Sequence, residues 1–114
     1  ARCVLGRGER SNPIPLFDVM KEPDSKGDGL RNLRTVWSIH TVPNAYDHSA
    51  IFPEGLIEPC VLGGSKEGNI VLDPFFGTGT VGIVSRRLGR CFLGIELNPD
   101  FINISLNRLS QQTL

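Results

Sequence analysis

The chain has 114 residues, 39% of them hydrophobic, and its 12 basic side chains equal its 12 acidic ones in number. This composition is typical of one globular domain, and the balanced charge gives no indication of a nucleic-acid-binding face. No apolar run approaches the about 18 residues that cross a bilayer, and no signal-peptide pattern opens the sequence, so we predict a cytoplasmic protein.

The N-terminal part of the chain is rich in proline and in turn-forming residues. Residues 1–52 have little sustained periodicity, which predicts loops and short strands, with one strand over Leu33–Thr41. We divide the chain into a loop-rich segment, 1–36, and a subdomain, 37–114. Three widely separated cysteines and two isolated histidines predict neither a disulfide framework nor a metal site.

Residues 53–114 alternate between helical periodicity and short apolar runs, a pattern typical of an α/β fold with a parallel sheet. The first predicted helix runs from Pro53 to about Leu62, and Pro59 is expected to kink or shorten it because proline lacks an N–H group. The order of elements implies a right-handed βαβ unit with flanking helices. The later predicted elements are a strand at 69–72, a helix at 80–88, a strand at 91–95, and a helix that starts at the Asn98 cap and extends to Leu109.

A glycine-rich turn joins the first of these strands to the helix that follows it. The segment Gly77-Thr-Gly-Thr-Val-Gly82 matches GxGxxG, and Glu96 lies nineteen residues beyond its first glycine, at the tip of the next strand. This arrangement predicts a site for an adenosine cofactor, with Glu96 accepting the ribose hydroxyls. Tight strand-to-helix turns also use glycine without any ligand, and that alternative stays open.

Asp73, at the end of the strand before the turn, indicates the charge of the ligand. A carboxylate there would repel a pyrophosphate, which disfavours a nicotinamide-dependent oxidoreductase. S-adenosylmethionine (SAM) instead carries a positive sulfonium and a positive ammonium group. Phe75, Phe76 and Leu97 are predicted to contact its adenine or to line the mouth of the cofactor site, although Phe76 fits the hydrophobic core equally well.

Two segments around this turn resemble motifs of one enzyme family. Asp73-Pro-Phe-Phe-Gly-Thr-Gly-Thr80 and Gly94-Ile-Glu-Leu-Asn-Pro99 resemble the cofactor motifs of SAM-dependent DNA methyltransferases, which modify the exocyclic amine of adenine (N6) or cytosine (N4). Upstream, His48-Ser-Ala-Ile-Phe-Pro53 resembles the family segment that lines the methionine end of SAM. Arg31-Asn-Leu-Arg-Thr-Val-Trp37 resembles the stretch before it.

This resemblance implies a partial Rossmann-like SAM-methyltransferase fold, with SAM as cofactor and DNA as the partner of the complete enzyme. It places the chain at the C-terminal end of a prokaryotic or phage restriction-modification methyltransferase, and by position it implies that 1–36 is the end of the target-recognition region. The implied cofactor-binding residues are Asp73, Phe75, Gly77, Thr78, Gly79, Thr80, Glu96 and Leu97, together with His48, Phe52 and Pro53.

The residues that would hold the target base are missing from this sequence. The family uses Asp, Asn or Ser followed by Pro-Pro and an aromatic residue, and no Pro-Pro dipeptide occurs here. We therefore predict no catalytic residue, and we expect the chain to need an absent N-terminal half or a partner chain for activity. The strand ending at Asp73 is expected to have an unpaired edge. A non-catalytic SAM-binding or structural module, from a degenerate or split methyltransferase, remains the alternative.

Overall fold

The computed structural model describes residues 2–6, 21–23, 30–32, 36–41 and 51–112. Within these ranges the chain forms strands and helices in an order that becomes strictly alternating after residue 53. In chain order they are β1 (Arg2–Gly6), β2 (Lys21–Pro23), β3 (Leu30–Asn32), α1 (Glu54–Gly64), β4 (Ile70–Asp73), α2 (Thr80–Arg87), β5 (Cys91–Glu96) and α3 (Pro99–Gln111).

The main sheet has three strands in the order β1-β5-β4. β4 and β5 are parallel, with Ile70 opposite Cys91 and Asp73 opposite Gly94, and α2 connects them. The predicted parallel βαβ unit is therefore confirmed. β1 pairs antiparallel with the other side of β5, which the sequence analysis did not predict. β2 and β3 form a separate antiparallel pair.

Two predicted features of the helices and strands need correction. The predicted strand over Leu33–Thr41 is wrong where it can be compared, because residues 36–41 form no strand and β3 already ends at Asn32. Neither sheet in the described part of the chain includes residues 36–41, and β propensity alone does not create a strand without pairing in a sheet. Pro59 does not shorten α1, which continues to Gly64. Packing of its buried face against α2 offsets the lost hydrogen bond.

The core lies on both sides of α2. Neighbouring residues of this helix point to different clusters, since Ile83 joins one and Val84 the other. α3 and β1 contribute to the first cluster, and α1 contributes half of the second. The first consists of Val4, Phe76, Ile83, Phe92, Ile102 and Leu109, and the second of Val61, Leu62, Val84 and Leu88 with Ile57 and Val71 against it.

Phe76 fills the centre of the first cluster. It is 3% exposed, and its ring stacks on that of Phe92 with centroids 5.6 Å apart. A Cβ atom on Gly94 would lie 2.3 Å from the Phe76 ring, and one on Gly82 would lie 2.7 Å from it. Such contacts are shorter than non-bonded atoms tolerate, so both glycines are required by packing. Of the two predicted roles of Phe76, contact with adenine and packing in the hydrophobic core, the structure therefore shows packing in the core.

The outer side of β4 is apolar and open. Ile70 is 65% exposed and Leu72 59% exposed, and β4 is an edge strand among the described residues. An open groove of about 300 Å³ lies beside it, lined mainly by apolar side chains of α1, β4 and α2. In the described ranges, no helix has the length and apolar character that crossing a membrane requires.

Candidate cofactor site

The turn between β4 and α2 depends on two glycines with positive φ. Gly77 has φ 53° and Gly79 has φ 86°, values that side chains with a Cβ atom rarely adopt. Gly79 is the N-cap residue of α2, so the helix starts directly from this turn. Among the described residues, a Cβ atom on Gly77 would meet only the Phe75 carbonyl oxygen, at 3.9 Å. These residues therefore leave space beside Gly77 for a ligand.

Glu96 links the tip of β5 to this turn. Its Oε2 accepts a hydrogen bond from the Gly77 N–H group at 2.7 Å. Its Oε1 accepts from the N–H groups of Leu97 at 2.8 Å and Asn98 at 2.9 Å. A carboxylate held by backbone donors has a fixed orientation. The sequence predicted Glu96 as an acceptor for a ligand, but not its role in holding the turn.

Asp73 lies at the end of the neighbouring strand, half-buried. Its Oδ1 accepts a hydrogen bond from the Phe75 N–H group at 3.0 Å. Burial raises the pKa of Asp73, the hydrogen bond from Phe75 lowers it, and the negative charge of Glu96 raises it further, for a net increase above its ordinary value. The two carboxylates thus repel each other across the end of the sheet. A positive group placed near them would relieve that repulsion.

Arg108, which the sequence did not indicate as a site residue, holds the turn from the side of α3. Arg108, in the last turn of α3, donates from Nη1 to the Thr78 carbonyl oxygen at 2.9 Å, to Thr78 Oγ1 at 3.0 Å and to Thr80 Oγ1 at 3.3 Å. Both threonines are buried. In the sequence, Arg108 is a basic residue near the end of a predicted helix, and a favourable interaction with the helix dipole is enough to explain that position.

Two large apolar side chains project beside the carboxylates. Phe75 is 88% exposed and Leu97 is 81% exposed, and each follows closely after one of the two acids. Exposed side chains of this size contribute nothing to the core. Their position at the mouth of the turn suits contact with a flat, partly apolar ligand such as an adenine ring.

The upstream residues of the predicted set lie on another element. Phe52 and Pro53 immediately precede α1, and Pro53 is its N-cap residue. Within the described residues, hydrogen bonds join the turn to Glu96 and Arg108 but not to Phe52 or Pro53. His48 lies outside the described residues. In the described part of the chain, no three potential metal ligands come together.

A family model described as a DNA methylase matches residues 12–107. The chain is 53% identical over 93 residues to the type II methyltransferase M.Cfr9I of Citrobacter freundii, an alignment that covers 82% of this chain and 31% of that protein. It is 37% identical over 111 residues to the DNA adenine methyltransferase YhdJ of Escherichia coli K12, with 94% of this chain and 38% of that protein covered. The chain thus spans about a third of the length of the curated relatives it matches.

Solved structures agree in fold. A putative DNA modification methylase from Thermus thermophilus, complexed with S-adenosyl-L-methionine, superposes with a TM-score of 0.52 at 43% identity and covers 54% of this chain and 25% of its own. The M1.HpyAVI–SAM complex superposes with a TM-score of 0.50 over 95% of this chain and 61% of its own. The identity to that complex is 18%, so it supports the fold alone.

Proposed function

The chain belongs to the N6/N4 DNA methylase family, and from this membership we propose that it is the SAM-binding part of a DNA methyltransferase that modifies the exocyclic amine of adenine or cytosine. When bound, SAM supplies an activated methyl group on its sulfonium. The observation that carries the proposal is the placement of two carboxylates beside the glycine turn: Asp73 ends β4 and accepts from the Phe75 N–H group, and Glu96 ends β5 and accepts from the Gly77 N–H group. This pair favours a ligand that is positive and rich in hydroxyl donors, and it disfavours a pyrophosphate.

Each residue of the site has a proposed part in holding SAM. Asp73 faces the positive charges of the ligand, and Glu96 accepts hydrogen bonds from the ribose hydroxyls. The exposed side chains of Phe75 and Leu97 contact the adenine. The turn formed by Gly77, Thr78, Gly79 and Thr80 lets the ligand approach the backbone, and His48, Phe52 and Pro53 line the methionine end, as the family resemblance implies.

The target base has to be held by residues from elsewhere. Methylation of an exocyclic amine requires a flipped-out base whose nitrogen is positioned by acceptors and an aromatic side chain. This sequence contains no Pro-Pro dipeptide of the kind the family motif uses. We propose that a further part of a longer enzyme, or a partner chain, supplies that motif. The open edge of β4, with its exposed apolar side chains, supports this reading because a further strand can pair there.

Calorimetric titration with SAM and with NAD⁺ tests the cofactor assignment. We expect saturable binding of SAM and none of NAD⁺ at the same concentration. Tighter binding of NAD⁺ would defeat the proposal.

A DNA methylation assay with labelled SAM tests the need for a further part. We expect the chain alone to bind SAM and to transfer no methyl group. Methylation of DNA by the chain alone would contradict this part of the proposal. If the natural partner segment restores no activity to a SAM-binding chain, the alternative of a non-catalytic SAM-binding module is favoured.

A further inference from the structure

Two arginine side chains connect α2 to α3, one at each end of α2. At the start of the helix, Arg108 donates to three oxygen atoms of Thr78 and Thr80. At its end, Arg86 Nη2 donates to the Leu109 carbonyl oxygen at 2.6 Å. Only the first of these links reaches the glycine turn. We propose that Arg108 is a positioning residue that holds the turn in its ligand-ready conformation before SAM binds, an inference that rests on the proposed function.

The turn needs such a support because its own residues restrain it weakly. Gly77 and Gly79 both have positive φ, and glycine loses more conformational freedom on ordering than any other residue. The N-cap residue Gly79 has no side chain, so α2 starts without a side-chain cap. Stabilisation of the empty turn must therefore come from the residues around it.

Arg108 is well placed to provide that stabilisation. α3 packs directly against the turn, since a Cβ atom on Gly79 would lie 2.9 Å from that of Ser105, which is fully buried. One turn further along, the two N–H groups of Arg108 Nη1 are shared among one main-chain oxygen and both threonine hydroxyls. A guanidinium only donates, so each hydroxyl accepts from it. Hydrogen bonds from a charged donor are stronger than neutral ones, and the rigid guanidinium loses little freedom in making them.

Turn positioning and simple attachment of α3 to α2 predict different effects. If Arg108 only attaches α3, its loss acts like the loss of Arg86, which bridges the same two helices. If Arg108 positions the turn, its loss selectively releases the amide groups of Gly77 and Gly79. Those amides donate to Glu96 Oε2 at 2.7 Å and to the Phe76 carbonyl oxygen at 2.9 Å, so hydrogen exchange reports on their release.

The experiment compares Arg108→Met with the matched control Arg86→Met in the full chain. Methionine keeps the apolar stem and removes the guanidinium in both variants. In Arg108→Met we expect amide exchange of Gly77 and Gly79 to accelerate about tenfold more than that of β5, and the Kd for SAM to rise about tenfold or more. In Arg86→Met both quantities stay within about twofold of wild type once global stability is accounted for. Arg108→Lys, which keeps one charged donor, regains part of the affinity.

The inference is overturned if Arg108→Met leaves exchange at the two glycines unchanged, or if both variants accelerate exchange uniformly over the fold. Should Arg108→Met fail to fold, Thr78→Val removes one acceptor without altering α3. This variant is expected to shift glycine exchange in the same direction by a smaller factor, and no shift overturns the inference. A wild-type chain that fails to bind SAM refutes the proposed function instead, because the exchange measurement needs no ligand.

Discussion

Replacing Asp73 by asparagine changes one charge and leaves the local hydrogen bond possible, since the asparagine Oδ1 can still accept from the Phe75 N–H group. We expect this substitution to weaken SAM binding and to stabilise the ligand-free chain. Both effects have the same origin. The carboxylate is partly buried and repelled by Glu96, so its charge is unfavourable in the empty protein and favourable beside a positive ligand.

The size of the effect follows from Coulomb's law. Two unit charges about 4 Å apart interact by about 1 kcal/mol in water and about 4 kcal/mol at the effective dielectric constant of a protein surface. Asp73 is half-buried and the ligand also carries a negative carboxylate, so we expect a loss of about 1–2 kcal/mol, or about 5- to 30-fold in Kd.

The pH dependence of stability and of binding should have opposite signs. Because the pKa of Asp73 is raised in the folded chain, its contribution to the free energy of unfolding is fully present below the unfolded-state pKa. That contribution is lost as the pH rises through the folded-state pKa. SAM prefers the ionised carboxylate, so its affinity increases as the pH rises through the same folded-state pKa. Asparagine does not titrate, and both dependences should flatten in the variant.

Calorimetric titrations with SAM from acidic to neutral pH, together with thermal unfolding of the ligand-free chain, measure both effects. Glu67→Gln is the control, because it removes an equal charge from an exposed position away from the turn. If Asp73→Asn binds SAM as tightly as wild type at neutral pH, or if the control weakens binding equally, the electrostatic reasoning is wrong.

Three further substitutions, one of them with a matched control, test contacts at the turn, in the core and on the surface. Glu96→Gln should lower the free energy of unfolding by about 1–3 kcal/mol, because an amide NH₂ group then faces a backbone N–H donor; a chemical denaturation curve equal to wild type would contradict this. Gly94→Ala should lower the free energy of unfolding by about 1–3 kcal/mol or more, because the added methyl group collides with Phe76. The control Gly64→Ala meets no atom of the described residues within 4 Å, so it should leave the denaturation midpoint unchanged or raise it. Equal denaturation midpoints for the two variants would refute the packing argument. Arg87→Met removes only surface ion pairs to two glutamates of α1, so a thermal shift corresponding to more than about 1 kcal/mol would show that these pairs matter more than expected.

The parallel unit was predictable because its signals are local. The helix that starts after Asn98 is an example, since an Asn followed by Pro and Asp is typical of a helix N-terminus. In the structure the Asn98 side chain accepts from the Asp100 N–H group at 2.9 Å, as a cap should. The turn between β4 and α2 was predicted in the same way, from glycines whose spacing is meaningful only between a strand and a helix.

Features that depend on distant contacts were not predictable from local patterns. β1 and β5 come from opposite ends of the sequence and pair in the sheet. Nothing in the sequence of either strand indicates that it pairs with the other. Arg108 contacts Thr78, which lies thirty residues earlier in the sequence. A basic residue near a helix C-terminus is already expected from the helix dipole, so the sequence gives no sign of this contact. The predicted strand over Leu33–Thr41 is absent at residues 36–41 for a related reason, because β propensity alone does not create a strand and neither described sheet includes these residues.

The position of the Phe76 ring also constrains how this sequence can change. The ring occupies space that side chains at Gly82 and Gly94 would need. An added methyl group at Gly94 becomes acceptable when position 76 carries a smaller residue, whereas one at Gly82 also needs Phe92 to move, since its Cβ atom would lie 2.9 Å from that ring. A smaller residue at position 76 in turn leaves a hole when the glycines are kept. These positions are therefore expected to show strong epistasis. A change from one packing arrangement of this core to another should therefore require two substitutions together, because each substitution alone is destabilising.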